Sequence, residues 1–173
     1  MSITAKASRI ALMGFDVDGV LTDGTLYYSS HGDEMKGFQT RDGHGLRMLM
    51  DAGIQVALIT GRESEIVTQR ARNLGISLVM QGVEDKRAAM VGFLAQLGLD
   101  FDQAGYMGDD VVDLPLLRAC GFSATVADAH PLVLDRVDHV STLAGGCGAV
   151  RELCELLLAA QGKLDAALAR YLA

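Results

Sequence analysis

What the chain has little of narrows it first. Only Cys120, Cys147 and Cys154 stand among 173 residues, an odd number without the paired short spacings of a zinc site. Neither a disulfide framework nor structural zinc fits, and a reducing compartment is the natural setting. Only two residues are proline while half are hydrophobic, which excludes a disordered chain. Basic residues are outnumbered, 15 Lys and Arg against 22 Asp and Glu. No basic stripe is visible, so no nucleic-acid partner is expected, and an anionic ligand must be met by a local cluster of cations against the field of the chain. No apolar run reaches membrane-spanning length, and the polar start from Met1 to Arg9 does not read as a signal peptide; no membrane partner and a cytoplasmic location are expected. The glycine-rich signatures of nucleotide-binding loops follow none of the apolar runs.

What is present reads as one domain, residues 1–173. Ile10 to Phe15 predicts a buried strand. Leu26-Tyr27-Tyr28 and Met35 to Phe38 flank Ser29 to Asp33 as a hairpin. Arg41 to Gly45 leads into a helix with Leu46, Leu49 and Met50 on its apolar stripe, stopped by Gly53. Further strands are predicted over Gln55 to Ile59, Ile76 to Met80 and Gln103 to Met107, with short edge strands over Phe122 to Val126 and Val137 to Val140. Helices are predicted over Glu63 to Leu74, Lys86 to Leu97 and Leu114 to Ala119, the first two closed by Gly75 and Gly98. Val150 to Tyr171 is a long helical segment with a break near Gly162. The alternation predicts an α/β fold, a Rossmann-like, mostly parallel sheet flanked by helices, with a small β-hairpin insertion at about 25–40 in place of a cap domain.

Ligands of such sheets sit beyond the carboxyl ends of the strands. Asp16, Thr60 and Asp109 each fall just past a predicted strand end, and Lys86 lies after the third strand, within reach of the same edge. Alone, an Asp-x-Asp-Gly or a Gly-Asp-Asp is most often an ordinary turn, and a helix lysine most often solvated; their joint placement points to one crevice. Phosphate esters resist nucleophiles because their oxygens are negative, and Mg²⁺ with hard oxygen ligands relieves this. Asp16, Asp109 and the main-chain carbonyl of Asp18 are candidate ligands. Asp16 is the candidate nucleophile, and Asp18 the acid that protonates the leaving alcohol and the base that then activates water. Thr60 and the N–H groups near Gly61 would hold phosphoryl oxygens, Lys86 would neutralise Asp16 and the transferring group, and Asp110 or Asp113 would orient the lysine or a metal-bound water.

These residues resemble the four motifs of the haloacid dehalogenase-like phosphatase superfamily: Asp16-x-Asp18, Thr60, Lys86, and Gly108-Asp109-Asp110 with Asp113. The likeness extends over nearly the whole chain to the family of 3-deoxy-D-manno-octulosonate 8-phosphate phosphatases. It is carried by Asp16 to Gly24, Arg41 to Gly45, Gly82 to Lys86, Val126 to Pro131, Gly148 to Glu152 and Ala160 to Asp165. The resemblance implies a Mg²⁺-dependent homotetramer that releases 3-deoxy-D-manno-octulosonate and phosphate on the way to lipopolysaccharide. It also implies a neighbouring subunit that helps roof the site, with Tyr27, Tyr28, Met35 and Phe38 in or near the interface.

For the phosphorylated 3-deoxy-ulosonic acid it implies a substrate site of Asp18, Gln39, Thr40, Arg41, Asp42, Gly43, Arg47, Gly61, Arg62, Arg70 and Lys86, the arginines suited to its carboxylate. His44 reads as an exposed helix histidine that could also touch the sugar. Two residues depart from the family pattern. Cys147 stands where an arginine is usual, and Glu63 follows Arg62 where a lysine is frequent. They keep open a 2-keto-3-deoxy-nonulosonate 9-phosphate phosphatase. A non-catalytic oligomerisation module is the alternative of another class.

Overall fold

The apolar run before Asp16 lies at the middle of the computed structural model, which describes residues 1–172. Helix α1 (Ile3–Ala7), capped by the Ser2 hydroxyl, leads into strand β1 (Leu12–Phe15), all of it buried. The insertion follows as β2 (Tyr27–Tyr28) and β3 (Glu34–Met35), antiparallel with Tyr27 opposite Met35. Then come α2 (Thr40–Asp51), β4 (Gln55–Ile59), α3 (Glu65–Leu74), β5 (Leu78–Met80), α4 (Lys86–Leu97), β6 (Ala104–Met107), α5 (Leu114–Leu117), β7 (Phe122–Thr125), α6 (Pro131–Leu134), β8 (His139–Val140), α7 (Ala149–Ala160) and α8 (Leu164–Ala169).

Six strands form one sheet in the order β5-β4-β1-β6-β7-β8, each neighbouring pair parallel. The chain winds from β1 outward through β4 and β5, then crosses to β6 on the other side. The order therefore reverses between β1 and β6, where an open α/β sheet parts its loops into a crevice. The α/β class, the flanking helices and the hairpin insertion are as the pattern of the sequence predicts. Gly45 lets α2 lie against α7: a Cβ there would sit 3.2 Å from both the Arg151 Cα and the Cys154 Cβ.

Several boundaries differ from expectation, each for a local reason. Helix α2 starts at Thr40, so Arg41, Asp42 and Gly43 belong to its first turn rather than to a lead-in; the Gln39 side chain caps it by accepting from the Arg41 N–H. The hairpin pairs only two residues per strand, and the segment from Lys36 to Phe38 runs unpaired into α2. The break expected near Gly162 is present, with α7 and α8 parted at Gln161-Gly162-Lys163. The short helices α1 and α6 were not expected, being only 5 and 4 residues long.

Candidate active site

The crevice is built from loops that leave β1, β4 and β6, and from the first turn of α4. Asp16 still belongs to the sheet, its N–H donating to Met107 O at 2.9 Å. Its Oδ1 accepts from the Val17 N–H at 2.7 Å, and its Oδ2 accepts from Lys86 Nζ at 2.6 Å. Thr22 knits the following loop, its hydroxyl oxygen accepting from the N–H groups of Gly19 and Gly24. Gly19, at φ 90°, lies against Asp109: a Cβ there would collide with the Asp109 carboxylate. This turn thus needs glycine both for its backbone and for the approach of the second acid.

Lys86 is buried and has a second partner, Asp113 Oδ1, also at 2.6 Å. Asp113 is fully enclosed, and both of its oxygens are used. Oδ1 also accepts from the Tyr106 hydroxyl at 3.1 Å, and Oδ2 accepts from the N–H groups of Asp109 and Asp110 at 3.0 and 3.2 Å. Of the two aspartates expected to orient the lysine, Asp113 touches it, while Asp110 caps the short turn Val111–Asp113. Thr60 is buried at the end of β4, its N–H bonded to Met80 O and its carbonyl to the Val83 N–H.

Carboxylates crowd here beyond what one lysine balances. Burial, then Asp113, raises Asp16 to about 6, with Lys86 opposing. Burial, then Asp16 and Asp113, raises Asp109 to about 7. Oxygens of Asp16, Asp109 and Asp113 lie within 4.8 Å of one another. A divalent cation with hard oxygen ligands suits such a set. Asp113 is the weakest candidate of the three, because its oxygens are saturated by Lys86, Tyr106 and two backbone donors. Asp16 and Asp109 remain to ligate.

Asp18 points to the hairpin. Lys36 Nζ bonds its Oδ1, and Arg62 Nε lies 3.6 Å from its Oδ2. Arg62 also donates to the Tyr28 hydroxyl at 2.5 Å and to Glu34 at 3.2 Å. Gln39, Thr40 and Phe38 line a hollow of about 360 Å³ with Asp23, Tyr27 and Cys147, between the hairpin and the glycine-rich loop before α7. Gly61 and Arg41 are exposed, and Arg41 borders a separate hollow with Gly148 and Arg151.

Three expected substrate contacts are placed otherwise within one subunit. Asp42 is 1% exposed and accepts from the Arg151 N–H at 2.8 Å, so it caps α7 instead of facing the crevice. Gly43 is buried beneath Arg70, whose guanidinium stacks 5.4 Å from the Phe38 ring and donates to Gln39 O. Arg47 lies two turns down α2, roughly 10 Å from its start. It donates to Asn73 O at the far end of α3. The helical period turns these residues away from the strand ends. His44 is not a free surface group: it bonds the Tyr171 hydroxyl at 2.7 Å and Arg151 at 2.9 Å. Lys36, Glu34 and Tyr106 are the site residues that the sequence reading missed. A lysine alternating with Met35 next to an acid was the available signal for Lys36, and it is a weak one.

A family model described as haloacid dehalogenase-like hydrolase matches residues 78–150. The chain is 47% identical over 165 residues to the 3-deoxy-D-manno-octulosonate 8-phosphate phosphatase KdsC of Escherichia coli K12, spanning 95% of this chain and 88% of that protein. Among solved structures it is similar to the 3-deoxy-D-manno-octulosonate 8-phosphate phosphatase of Moraxella catarrhalis, in complex with magnesium ion, phosphate ion and KDO. That match has 44% identity and a TM-score of 0.96, and covers 98% of this chain and 97% of the other. It is similar also to the cobalt-bound deoxy-D-mannose-octulosonate 8-phosphate phosphatase of Haemophilus influenzae, at 48% identity and a TM-score of 0.90, over 92% of this chain and 94% of the other.

Proposed function

The chain belongs to the 3-deoxy-D-manno-octulosonate 8-phosphate phosphatases of the haloacid dehalogenase-like hydrolases, and on that premise we propose how its residues divide the work. The reaction is Mg²⁺-dependent hydrolysis of 3-deoxy-D-manno-octulosonate 8-phosphate to the sugar acid and phosphate. The observation that carries the assignment of roles is the buried chain Asp16–Lys86–Asp113 beside Asp109, with Asp18 turned out of it toward the hairpin.

A carboxylate oxygen of Asp16 attacks phosphorus while the bond from phosphorus to the sugar oxygen breaks. Asp18 gives its proton to that oxygen, leaving an aspartyl-phosphate. Asp18 then takes a proton from water as its oxygen attacks phosphorus, and Asp16 and phosphate are released. Asp16, Asp109 and the Asp18 carbonyl would hold Mg²⁺, which when bound would supply neutralisation of the phosphoryl oxygens. Lys86, fixed by Asp113, keeps Asp16 ionised and oriented. Thr60 and the Gly61 N–H hold the transferring group. Arg62, Arg41 and Arg70 are the arginines this reading gives to the sugar carboxylate.

The unit of function is one hydrolase domain, 1–173, with the hairpin at about 25–40, assembled as a homotetramer in the cytoplasm. Tyr28 is 59% exposed and Met35 62% exposed, which suits a hairpin covered by neighbouring copies. Among the described residues no helix is long and apolar enough to cross a membrane. Phosphate release with Mg²⁺ over a panel of sugar phosphates tests the reading; equal turnover of unrelated sugars would defeat it. The same panel decides the nine-carbon reading, which Cys147 at the hollow beside Thr40 and Glu63 after Arg62 keep as the second choice. A tetramer without Mg²⁺-dependent activity on any ulosonate phosphate would revive the non-catalytic role.

A further inference from the structure

We propose that Lys36 is a positioning residue for Asp18, an inference that rests on the acid–base reading above. The Lys36 side chain is 1% exposed, and its ammonium bonds Asp18 Oδ1 and lies 3.3 Å from Glu34 Oε1. Arg62 meets the other oxygen of Asp18 and the same oxygen of Glu34. Asp18, Lys36, Glu34 and Arg62 thus close a ring of alternating charge. Ser64 anchors it by donating to Glu34 Oε2 at 2.8 Å, and Tyr28 by accepting from Arg62.

The two cations of the ring are not equivalent. The Arg62 side chain is 43% exposed on the crevice rim and is available to an arriving anion, for which its fork is suited. Lys36 is enclosed, and a buried ammonium separated from its carboxylates is costly. When substrate draws Arg62 away, Lys36 stays with Asp18. Its bond fixes Oδ1, so Oδ2 is the oxygen that faces the leaving group and then the attacking water. Proton transfer in both steps needs that single orientation. The hairpin therefore does more than roof the crevice: it holds the proton donor in register, and its own placement is set by the β2–β3 pairing.

The test uses the full chain with Mg²⁺ and compares kcat/KM on the sugar-acid phosphate and on p-nitrophenyl phosphate. That parameter covers the steps up to departure of the leaving group. Nitrophenolate leaves without a proton, whereas the sugar alkoxide needs one. Lys36→Met should lose about 10- to 100-fold on the sugar phosphate and less than about threefold on p-nitrophenyl phosphate, since only the first depends on a well-aimed acid. Lys36→Arg should restore most of the loss. Lys36→Gln, which keeps a donor without the charge, is held to the same split and serves if the methionine variant does not fold. Equal losses on both substrates would mean that Lys36 only shapes the hairpin, and no loss on either would mean that Asp18 is held by other groups; each overturns the proposal. Asp18→Asn is the control: if it too lost both activities equally, the acid–base reading itself would fall.

Discussion

The two ends of the crevice are built differently. At the phosphate end, Asp16, Lys86, Asp113 and Thr60 are buried, and they sit on strand ends or the first turn of a helix. Asp16 and Asp113 share Lys86 there, inside the subunit. At the rim, Asp18 depends on a ribbon of two residue pairs on which Tyr27 and Met35, opposite each other, are exposed. A two-stranded ribbon of this length is not stable alone. The contrast teaches that strand ends and a helix turn fix the groups for phosphoryl transfer, whereas Asp18, the proton donor of the proposed function, is held by partners on or beside a short ribbon.

The contrast is broken most severely at its rigid end. Asp16→Asn should lower turnover by at least ~10³-fold, because nucleophile and metal ligand go together. The fold should survive, since Asn keeps the acceptor for the Val17 N–H. Activity within tenfold of the native enzyme would refute the assignment. Excess chelator should likewise remove activity and Mg²⁺ restore it, with Asp109→Ala weakening the metal's affinity more than the fold; full turnover in metal-free buffer would end this reading.

At the rim the expected effects are smaller and collective. Tyr27 and Met35 face each other across β2 and β3. Tyr27→Asp with Met35→Asp should dissociate subunits and cost about tenfold or more in activity, read by light scattering and turnover on the same sample, because a loosened ribbon misplaces Asp18. Phe38, which part-packs on the core beneath Arg70, is unsuited to this test. A fully active monomer would sink the idea of a shared site.

The same contrast has a pH signature. Asp16 and Asp109 are raised to about 6 and about 7 in the folded chain, burial being the first cause. Unfolded aspartates titrate near ~3.9. The metal-free folded protein therefore binds more protons than the unfolded chain between these values, and its stability is lost as pH rises through that window. Metal-free protein should melt lower at pH 8 than at pH 5.5, by about 3 °C or more. Added Mg²⁺ should raise the midpoint more at pH 8, where both ligands are ionised. A pH-independent Mg²⁺ shift would show that these two carboxylates do not hold the ion.

Legibility in the sequence followed the same division. Asp16, Thr60 and Asp109 could be placed because each follows an apolar run, and in a parallel sheet such runs all end on one edge. Lys86 could be placed by the helix that follows β5. The partners within the site were less legible. Whether Asp110 or Asp113 held the lysine depended on a short 3₁₀ turn that no period announces. Asp42, Gly43 and Arg47 were expected at the substrate, but α2 begins at Thr40 and its pitch carries them toward α7 and α3. Lys36 was missed because two-residue strands have too little alternation to tell an inward lysine from a solvated one.

The smallest expected effect tests where rim and scaffold meet. Cys147 lies on the loop between β8 and α7, which packs backbone to backbone on the catalytic loop. Gly146 N donates to Val20 O at 3.0 Å, and a Cβ on Gly145 would strike the Gly19 and Thr22 carbonyls. Gly145 N is held in turn by Asp128 Oδ1 at 3.0 Å. The loop is thus as fixed as the phosphate end, yet its side chain at Cys147 opens to the hollow with Gln39 and Thr40. Cys147→Arg would place a cation on that support, facing the hollow lined by Gln39 and Thr40, which the proposed function gives to the sugar acid. The substitution should tighten that substrate by about 1 kcal/mol, roughly fivefold in KM, with kcat little changed. A gain confined to kcat would mean that the charge acts on the reacting phosphate instead. Unchanged affinity would show that the loop carrying Cys147 does not reach the sugar carboxylate.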